Sequence, residues 1–349
     1  MDIHQLETPV AVVDLDKVAA NIARLQAYLD EHGIANRPHI KTHKIPELAH
    51  MQLNAGAMGV TCQKIGEAEA MAQTGVRDIL ITYNIMGEAK LERLMRLASR
   101  VDVSVSADSE FTVRGLSAAA HRAGVELPVL VEFDTGGQRC GVQSPAATAE
   151  LAQVIDRSSG LRFGGLMTYP CNETTNPFVR ETKALLKGHR IAVNCVSGGG
   201  SPRMWQAHTH TEVTEYRAGT YIYGDRKLVD SGAMSVADCA LTVITTIVSR
   251  PTADRGILDG GSKTFSSDLL GLEGHGLILE YPEARIYGQS EEHGHVDFSA
   301  CERKPELGER LTVIPNHCCV VSNLFNQIVG LRHNRVEVIW PVAARGLVQ

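Results

Sequence analysis

Several features that define other classes of protein are absent from this sequence of 349 residues. No apolar run approaches the roughly 18 residues that a membrane-spanning helix needs. We expect no signal peptide, because the first residues include neither a basic segment nor an apolar core. The net charge of −6 argues against nucleic acid as a partner. The eight cysteines are scattered without a CxxC pair, which predicts free thiols and a cytoplasmic location.

The composition that remains is that of an ordinary soluble enzyme, with 44% hydrophobic and 21% charged residues. Short apolar runs recur along the chain with helical patterns between them. The predicted strands are residues 34–41, 57–62, 78–82, 101–106, 128–133, 162–168, 191–196 and 213–217. The clearest helical patterns cover residues 16–31, 46–54, 109–123 and 146–157. Eight strand–helix units in succession predict an α/β fold, a (β/α)8 barrel of the TIM type.

The polar residues at the ends of these strands locate the predicted site. Lys41, Thr82, Asp134, Tyr169 and Ser197 all fall at or just beyond the carboxyl end of a predicted strand. In (β/α)8 barrels the chemistry is carried at that end. We therefore expect these side chains to surround one site.

The pattern changes after about residue 234, where a long run rich in Val, Ile and Thr begins. The predicted strands there are residues 236–248, 256–259, 276–279, 285–287, 310–314, 327–330 and 335–339. Glycine and proline punctuate them, which indicates a small antiparallel β domain. We expect residues 9–14 to pair with it. The predicted domains are a barrel of residues 10–235 and a β domain of residues 1–9 and 236–349.

The most unusual stretch is the basic run Arg37-Pro38-His39-Ile40-Lys41-Thr42-His43-Lys44. Pro38 favours an extended residue before it, so the run is predicted to continue a strand. A lysine at a strand end, among other cations, has its pKa lowered toward neutrality. That is the condition for a lysine amine to act as a Schiff-base nucleophile. A solvated basic loop is the alternative, and the run alone favours that alternative.

Two glycine-rich turns follow predicted strands. The stretch 134–142 places glycines on both sides of Arg139, which would let backbone approach a ligand while the guanidinium binds an oxygen anion. The stretch Ser197-Gly198-Gly199-Gly200-Ser201 is predicted to cradle a phosphate. It is not a Walker A motif, and no GxGxxG is present. The alternatives are a tight turn with a surface arginine and a flexible loop. The stretch 217–224 adds Arg217 and further backbone donors.

His317 and Cys319 are the candidate metal ligands. On an extended strand they share one face while Cys318 points away. Two such ligands suit zinc or a similar divalent ion, although packed thiols are an alternative that the pair by itself does not exclude. His293 and His295 also share a face if they are extended. They are candidate ligands or neighbours of the site, with solvated histidines as the alternative.

Taken together, these stretches resemble the fold-type III pyridoxal-phosphate enzymes, which join an alanine racemase-like barrel to a β domain. The resemblance is stronger to the D-threonine aldolase and D-serine dehydratase branch. It implies that Lys41 forms the Schiff base with pyridoxal 5′-phosphate and that Arg139 contacts the cofactor's phenolic oxygen. Arg217 resembles the arginine that faces the pyridine nitrogen in racemases, with Tyr169 as a competing candidate. The positions that resemble the phosphate site are Ser197, Gly198, Gly199, Gly219 and Thr220.

The resemblance also implies a divalent metal (Mn, Mg or Zn) at His317 and Cys319. At the second position of this pair the chain has Cys319, which is similar to the cysteine of the zinc-using dehydratases. The best-known aldolases carry aspartate at that position. Some aldolases have a histidine base after the tyrosine that corresponds to Tyr169, but this chain has Pro170. The base would then be His43, His293 or a hydroxide on the metal. Residues 259–268 lack the tyrosine expected of an alanine racemase.

The activity implied by the resemblance is a lyase that acts on 3-hydroxy-D-amino acids. Retro-aldol cleavage to glycine and an aldehyde, as in D-threonine aldolase, is the first expectation. A dehydratase that converts D-serine or 3-hydroxy-D-aspartate into a 2-oxo acid and ammonia is the alternative. An amino-acid racemase, a non-catalytic pyridoxal-phosphate-binding protein and a metal hydrolase barrel rank lower. By analogy with the family, we expect a homodimer.

Overall fold

A computed structural model describes residues 2–349 and divides the chain into two compact units. The barrel unit consists of Arg24–Lys41, Pro46–Gly219 and Leu347–Gln349. The β unit consists of the chain up to Ala23, together with Thr42–Ile45 and Thr220–Gly346.

The β unit includes residues 220–235, which the sequence analysis assigned to the barrel domain. The physical reason is a set of hydrogen bonds within the β unit. The Arg226 N–H donates to the Pro315 carbonyl at 3.0 Å, and the Cys318 N–H donates to Asp225 Oδ2 at 3.1 Å.

The strands, in chain order, are β1 (Val10–Asp14), β2 (Ala35–Asn36), β3 (Val60–Cys62), β4 (Asp78–Ile81), β5 (Asp102–Ala107), β6 (Leu127–Glu132), β7 (Leu161–Met167), β8 (Val196–Gly198), β9 (Glu215–Tyr216), β10 (Leu241–Ser249), β11 (Arg255–Leu258), β12 (Leu277–Ile278), β13 (Arg285–Gln289), β14 (Gly294–Asp297), β15 (Arg310–Ile314), β16 (Gln327–Arg332) and β17 (Arg335–Pro341). The α-helices are α1 (Leu15–Glu31), α2 (Pro46–Asn54), α3 (Ile65–Gln73), α4 (Glu88–Ala98), α5 (Glu110–Ala123), α6 (Pro145–Arg157), α7 (Thr175–Lys187), α8 (Arg226–Asp230), α9 (Ser262–Phe265) and α10 (Cys318–Leu324). No helix among residues 2–349 is both long and apolar enough to cross a bilayer.

The barrel unit has a parallel sheet in the order β2-β9-β8-β7-β6-β5-β4-β3. A parallel bridge between His39 and Thr61 and a 2.8 Å hydrogen bond from the Thr61 N–H to the Pro38 carbonyl join its two ends. The sheet therefore closes on itself, and helices connect its successive strands. The predicted α/β barrel fold is confirmed.

The first and eighth strands differ from their predicted positions. β2 is only two residues long, and Lys41 lies beyond it in a 3₁₀ turn, Ile40–Thr42. Pro38 lacks an N–H and cannot continue a regular ladder, although the flanking Arg37 and His39 N–H groups still donate to the Tyr216 and Ala218 carbonyls. β8 begins at Val196 instead of residue 191. Its ladder partners are in β7 and β9, and the ladder includes Ser197 and Gly198. Both residues therefore lie in the strand instead of the loop after it.

The helical prediction for residues 16–31 is confirmed by α1. Its stripe Val18, Ile22, Leu25 and Leu29 is buried, as expected for an amphipathic helix. The helix is capped by Asp14, whose Oδ1 accepts from the N–H groups of the residues two and three positions later at 3.0 and 3.1 Å.

The β unit is a mixed sheet with the order β13-β14-β11-β10-β1-β16-β17, in which β15 also pairs with β10 and β12. Its pairings are antiparallel except for β1 with β16. The prediction that residues 9–14 pair with this domain is confirmed, and Val12, Ile244, Val329 and Leu331 form a core on one face. The predicted long strand begins at Leu241, because Val236–Asp238 forms a 3₁₀ turn capped by Ser235.

Candidate active site

Lys41 lies beside an aromatic ring in the barrel unit. Its Nζ is 6.0 Å from the centroid of the Tyr169 ring, and the Arg139 guanidinium carbon is 4.9 Å from the same centroid. Tyr169 follows β7, and its side chain is 43% exposed. The structure thus brings together three residues that the sequence placed at separate strand ends. Two cationic side chains at one accessible ring would suit an anionic ligand.

His39 forms the support for the turn that carries Lys41. Its Nε2 is 3.1 Å from Gln63 Oε1, and the Gln63 amide nitrogen donates to the Thr82 carbonyl at 2.9 Å. Because the Gln63 oxygen faces the ring, Nε2 carries the hydrogen and Nδ1 accepts from the Lys41 N–H at 3.4 Å. Burial lowers the pKa of His39 well below its usual value, and the charges of Lys41 and Arg217 lower it further. His39 is therefore a neutral acceptor.

Glu132 is a site residue that the sequence reasoning missed. It is the last residue of β6, it is buried, and its Oε1 forms an ion pair with Arg139 NH2 at 3.6 Å. Burial raises the pKa of this carboxyl, while the nearby arginines oppose the rise. An acidic residue that ends the apolar strand Val129-Leu130-Val131 was a signal that could have identified it. Glu132 holds one side of the Arg139 guanidinium.

The glycines around Arg139 have a different role from the predicted one. Gly141 has φ +119°, and a Cβ on it would lie 2.6 Å from the Asp134 nitrogen and the Phe133 carbonyl carbon. The close approach that requires glycine here is therefore to the protein's own backbone. The Asp134 N–H donates to the Val142 carbonyl at 3.0 Å, which closes the turn. Gly141 fixes the loop that presents Arg139.

We predict that Gly141→Ala destabilises the protein by about 2–4 kcal/mol, because the new methyl group meets backbone at a positive φ. Gly136→Ala in the same turn is the matched control, since Gly136 also has a positive φ of +93° but open space around its Cβ. It should cost about 1 kcal/mol. Urea unfolding of both variants measures the difference. Equal losses would show that the backbone contact at Gly141 has no effect.

The glycine-rich turn after β8 has partners within the barrel unit. The Ser197 hydroxyl is buried and donates to Glu215 Oε1. The Gly219 N–H donates to Ser201 Oγ at 3.1 Å, and the Gly199 carbonyl accepts from the Cys171 N–H at 3.0 Å. Two of the groups that the resemblance assigns to a phosphate are thus engaged inside the protein. The assignment of Ser197, Gly198, Gly199 and Gly219 to a phosphate stays a prediction.

Arg217 is buried at the end of β9. Its NH1 donates to Ser197 Oγ and its NH2 donates to the Thr168 carbonyl at 2.9 Å. Burial lowers the pKa of this guanidinium, and the charge of Glu215 is the largest effect that opposes the change. The structure therefore holds Arg217 through two neutral oxygens.

The β unit brings His317 and Cys319 together, but not on a strand. His317 is the extended N-cap residue of α10, and Cys319 lies in the first turn of that helix. Each side chain affects the pKa of the other. Cys319 Sγ is also 3.2 Å from Thr42 Oγ1 and 3.6 Å from Thr220 Oγ1. Thr220, predicted to bind phosphate, thus contacts the thiol through its side chain.

The electrostatic environment of Cys319 favours the thiolate, which is the form that binds a metal. The hydrogen bond from Cys318 is the largest effect that lowers the pKa of Cys319 well below its usual value, against the effect of burial, and His317 adds to it. Burial lowers the pKa of His317, but the hydrogen bond and charge of Cys319 and the hydrogen bond to Asp268 raise it to about 9. A thiolate beside an imidazolium results. A divalent ion would replace the imidazolium proton.

Two aspartates missed by the sequence reasoning support this pair. Asp268 Oδ2 accepts from His317 Nδ1 at 2.7 Å, which leaves Nε2 as the nitrogen that can bind a metal. Asp225 accepts from the Cys318 N–H at the start of α10 and from the Leu228 N–H at 2.9 Å. Burial raises the pKa of Asp225 to about 6. Neither aspartate had a visible partner in the sequence, because both contacts depend on the fold.

The candidate bases His43 and His293 have different environments in the β unit. His43 is fully buried, and its Nδ1 accepts from the Ile45 N–H at 3.0 Å. His293 is exposed in the turn before β14, and only His295 is in that strand. The expectation that His293 and His295 share a strand face is therefore not met, because the Ser290 N–H and the His293 carbonyl close a turn there.

The donor sets fit the two groups that the resemblance implies. An amine, an arginine and backbone donors of a glycine-rich turn suit an aldehyde, a ring oxygen and a phosphate, so the barrel residues fit pyridoxal phosphate. A thiolate and an imidazole backed by a carboxylate fit a divalent metal. Among residues 2–349 no group of three or more His, Cys, Asp or Glu side chains is arranged around a common metal position. Water or substrate would have to complete the coordination.

Comparison with known proteins gives matches over nearly the whole chain. Residues 13–227 match the alanine racemase N-terminal domain, and residues 240–331 match a putative serine dehydratase domain. The D-threonine aldolase of Arthrobacter sp is 34% identical over 98% of this chain and 93% of its own length. The D-threo-3-hydroxyaspartate dehydratase of Delftia sp. (strain HT23) is 31% identical over 92% of this chain and 93% of its own length.

A solved structure gives the same result. The D-threonine aldolase from Filomicrobium marinum aligns with a TM-score of 0.90 at 30% identity, over 99% of this chain and 97% of that chain. These matches confirm the resemblance inferred from the sequence motifs. The chain therefore belongs to the alanine racemase N-terminal domain family, in the branch that joins this barrel to a D-serine dehydratase-like domain.

Proposed function

We propose that the protein is a lyase dependent on pyridoxal phosphate and a divalent metal, which cleaves 3-hydroxy-D-amino acids to glycine and an aldehyde. The observation that carries the proposal is the Lys41 amine held with Arg139 at the Tyr169 ring, in a barrel of this family. The two relatives named as D-threonine aldolases, one by sequence and one by structure, support the aldolase reaction.

The barrel residues would hold the cofactor. Lys41 would attach its aldehyde carbon, Arg139 would donate to its ring oxygen, and the turn Ser197–Gly199 with Gly219 would face its phosphate. When bound, pyridoxal phosphate supplies an electron sink for the carbon that is left with an electron pair. The amino group of the substrate would take the place of Lys41 on the cofactor. The Lys41 amine would then be free to take or give a proton at Nζ. Glu132 would keep Arg139 in place during this exchange.

The β unit would supply the group that acts on the substrate hydroxyl. His317 Nε2 and Cys319 Sγ would hold a divalent ion (Mn, Mg or Zn), which supplies a Lewis acid that lowers the pKa of the β-hydroxyl. Asp268 would keep the His317 ring in the required orientation. A base must remove the hydroxyl proton as the Cα–Cβ bond breaks. Of the two histidine candidates, we favour His293 over His43, because His293 is exposed and His43 is buried.

Dehydration is the second candidate function. The specific observation in its favour is the lowered pKa of the Cys319 thiol beside His317, because a soft thiolate at this position would select zinc over magnesium or manganese, as in the zinc-using dehydratases that the pair resembles. The relative named as a dehydratase also covers most of the chain. In that reaction Lys41 would remove the α-proton, and the hydroxyl would leave with the help of the metal.

A substrate panel separates the two reactions. We expect D-threonine to yield glycine and acetaldehyde, with 2-oxo acid release from D-serine slower by about tenfold or more, a difference of about 1.4 kcal/mol in transition-state stabilisation. L-threonine should be a poor substrate and controls for stereochemistry. Glycine, aldehyde and 2-oxo acid are measured in the same incubations. A 2-oxo acid from D-serine without glycine from D-threonine would reverse the assignment.

Assembly and location belong to the same proposal. We infer a homodimer from the analogy with the family. A cytoplasmic location is supported by the eight cysteines, all of which are free thiols in the structure. Sedimentation analysis of the purified protein tests the dimer.

A further inference from the structure

A series of hydrogen-bonded polar side chains in the barrel unit runs from Asp78 to Arg217. Arg37 NH1 and NH2 donate to the two carboxylate oxygens of Asp78 at 2.6 and 3.2 Å, and Arg37 Nε donates to Glu215 Oε2 at 3.0 Å. The other Glu215 oxygen accepts from the Ser197 hydroxyl, which in turn accepts from Arg217. Asp78, Arg37 and Glu215 also border a cavity of about 520 Å³ at the amino ends of the strands.

The Ser197 hydroxyl has one hydrogen, and that hydrogen is given to Glu215. The lone pairs of its oxygen are therefore available to Arg217 NH1. The Ser197 hydroxyl keeps this orientation only while Glu215 accepts its hydrogen bond. This orientation also means that the Ser197 side chain has no hydrogen left for a cofactor phosphate. The Ser197 side chain thus links Glu215 to Arg217.

Glu215 is the carboxylate that lies between two buried cations. Arg37 and Arg217 are both buried cations, and Glu215 is buried between them, while Asp78 is partly exposed. Arg37 has a bidentate partner in Asp78, whereas the hydrogen bonds of Arg217 go to a hydroxyl and a backbone carbonyl. Leaving a buried cation without a nearby anion is strongly unfavourable.

We propose that Glu215 is a positioning residue that acts through the Ser197 hydroxyl, fixing the orientation of Arg217 and supplying its counter-charge. The inference rests on the proposed function and on the resemblance, which implies that Arg217 faces the pyridine nitrogen of the cofactor. Glu215 itself contacts no cofactor or substrate in this scheme. The carboxylate acts on the reaction by determining where the Arg217 guanidinium lies and how much net positive charge surrounds the bound cofactor.

The other charged or titratable groups around Arg217 come from several elements. Glu132 on β6, Cys171 after β7 and Cys195 before β8 interact with it electrostatically. His39 after β2 also interacts with Arg217 and is neutral. Because burial raises the pKa values of Cys171 and Cys195, both are neutral thiols near neutral pH. Glu215 and Glu132 are therefore the two carboxyls that set the local charge.

The test compares Glu215→Gln with Asp78→Asn in the cofactor-loaded enzyme. Each variant removes one carboxylate that pairs with Arg37, but only Glu215→Gln changes the partner of Ser197. We expect Glu215→Gln to lower kcat about 10–100-fold, as is typical when a supporting residue is lost. It should also lower the pH midpoint of the visible cofactor band by about one unit. Removal of a negative charge disfavours the protonated form of the bound cofactor. Asp78→Asn should leave kcat and this midpoint close to wild type.

Ser197→Ala tests the route of the effect. If Glu215 acts through the hydroxyl, Ser197→Ala lowers kcat and the double variant is no worse than Glu215→Gln alone. Additive losses would overturn the proposal, as would identical kcat and spectral changes in Glu215→Gln and Asp78→Asn. Thermal unfolding confirms that each variant is folded. A wild-type protein without a visible cofactor band would instead contradict the proposed function, so the two failures are distinguishable.

Discussion

Lys41→Ala is expected to abolish turnover, lowering kcat by about 10⁴-fold or more, because it removes both the cofactor attachment and the main acid–base group. Lys41→Arg should be equally inactive, since it keeps the positive charge but has no amine that can be deprotonated. The measurement is the release of glycine from D-threonine with saturating pyridoxal phosphate. Lys64→Arg is the matched control, because Lys64 Nζ also lies over a tyrosine ring, 3.6 Å from the centroid of Tyr83.

A chemical label gives an independent check of the same residue. Borohydride reduction followed by peptide mapping should place the cofactor on Lys41 in the wild-type protein and on no lysine in Lys41→Arg. A reduced cofactor on Lys44 or another lysine would contradict the assignment of the site. The two variants should keep their fold, because the Lys41 side chain is partly exposed. The turn is held by the hydrogen bond from the backbone N–H of residue 41 to His39 Nδ1, which both variants retain.

The barrel could be predicted because its signals are local and repeated. Apolar runs of strand length alternate with amphipathic stretches, and the stripe in α1 is visible without any knowledge of the fold. The ends of strands were less predictable. Residues 34–41 look like one strand, yet the regular ladder stops at Asn36, because the neighbouring Pro38 offers no N–H.

The segment 317–319 shows the opposite failure. Its cysteines and the two valines that follow them are typical of a strand, but the Val321 N–H donates to the His317 carbonyl and a helix forms. On a helix, residues two positions apart do not share a face. His317 and Cys319 meet because His317 is the extended cap residue outside the helix. The predicted pair was therefore found although the predicted conformation was wrong.

The supporting carboxylates were not predictable from the sequence. Glu215 contacts Arg37, which is 178 positions earlier, and Asp268 contacts His317, 49 positions later. From sequence alone, an acidic residue is predicted to lie at the surface unless its partner is known. The lysine, arginine and glycine motifs were visible because each is contained in a few consecutive residues. The residues that hold them in place come together only in the folded barrel and β unit.

Removal of the metal ligands is expected to have the second large effect. A chelator, His317→Ala and Cys319→Ala should each lower kcat/KM by about 10²–10³-fold, because the Lewis acid that assists the β-hydroxyl is lost. Added divalent metal should restore the chelated wild type but not the two variants. Cys301→Ala, which changes a buried cysteine elsewhere in the β unit, is the control and should keep its metal and activity. Metal content is measured together with rate.

Cys319→Asp makes this prediction specific for the chemistry of the ligand. A carboxylate is a harder ligand than a thiolate, so the metal preference of the variant should shift from zinc toward manganese or magnesium relative to wild type. Asp268→Asn should keep both ligands but lower metal affinity about 10–100-fold, because the His317 ring loses its charged acceptor. Full activity of a His317→Ala, Cys319→Ala double variant in the presence of a chelator would show that the reaction needs no metal at this pair. The thiolate and the imidazole would then have a structural role only, joining the start of α10 to Thr42 and Asp268.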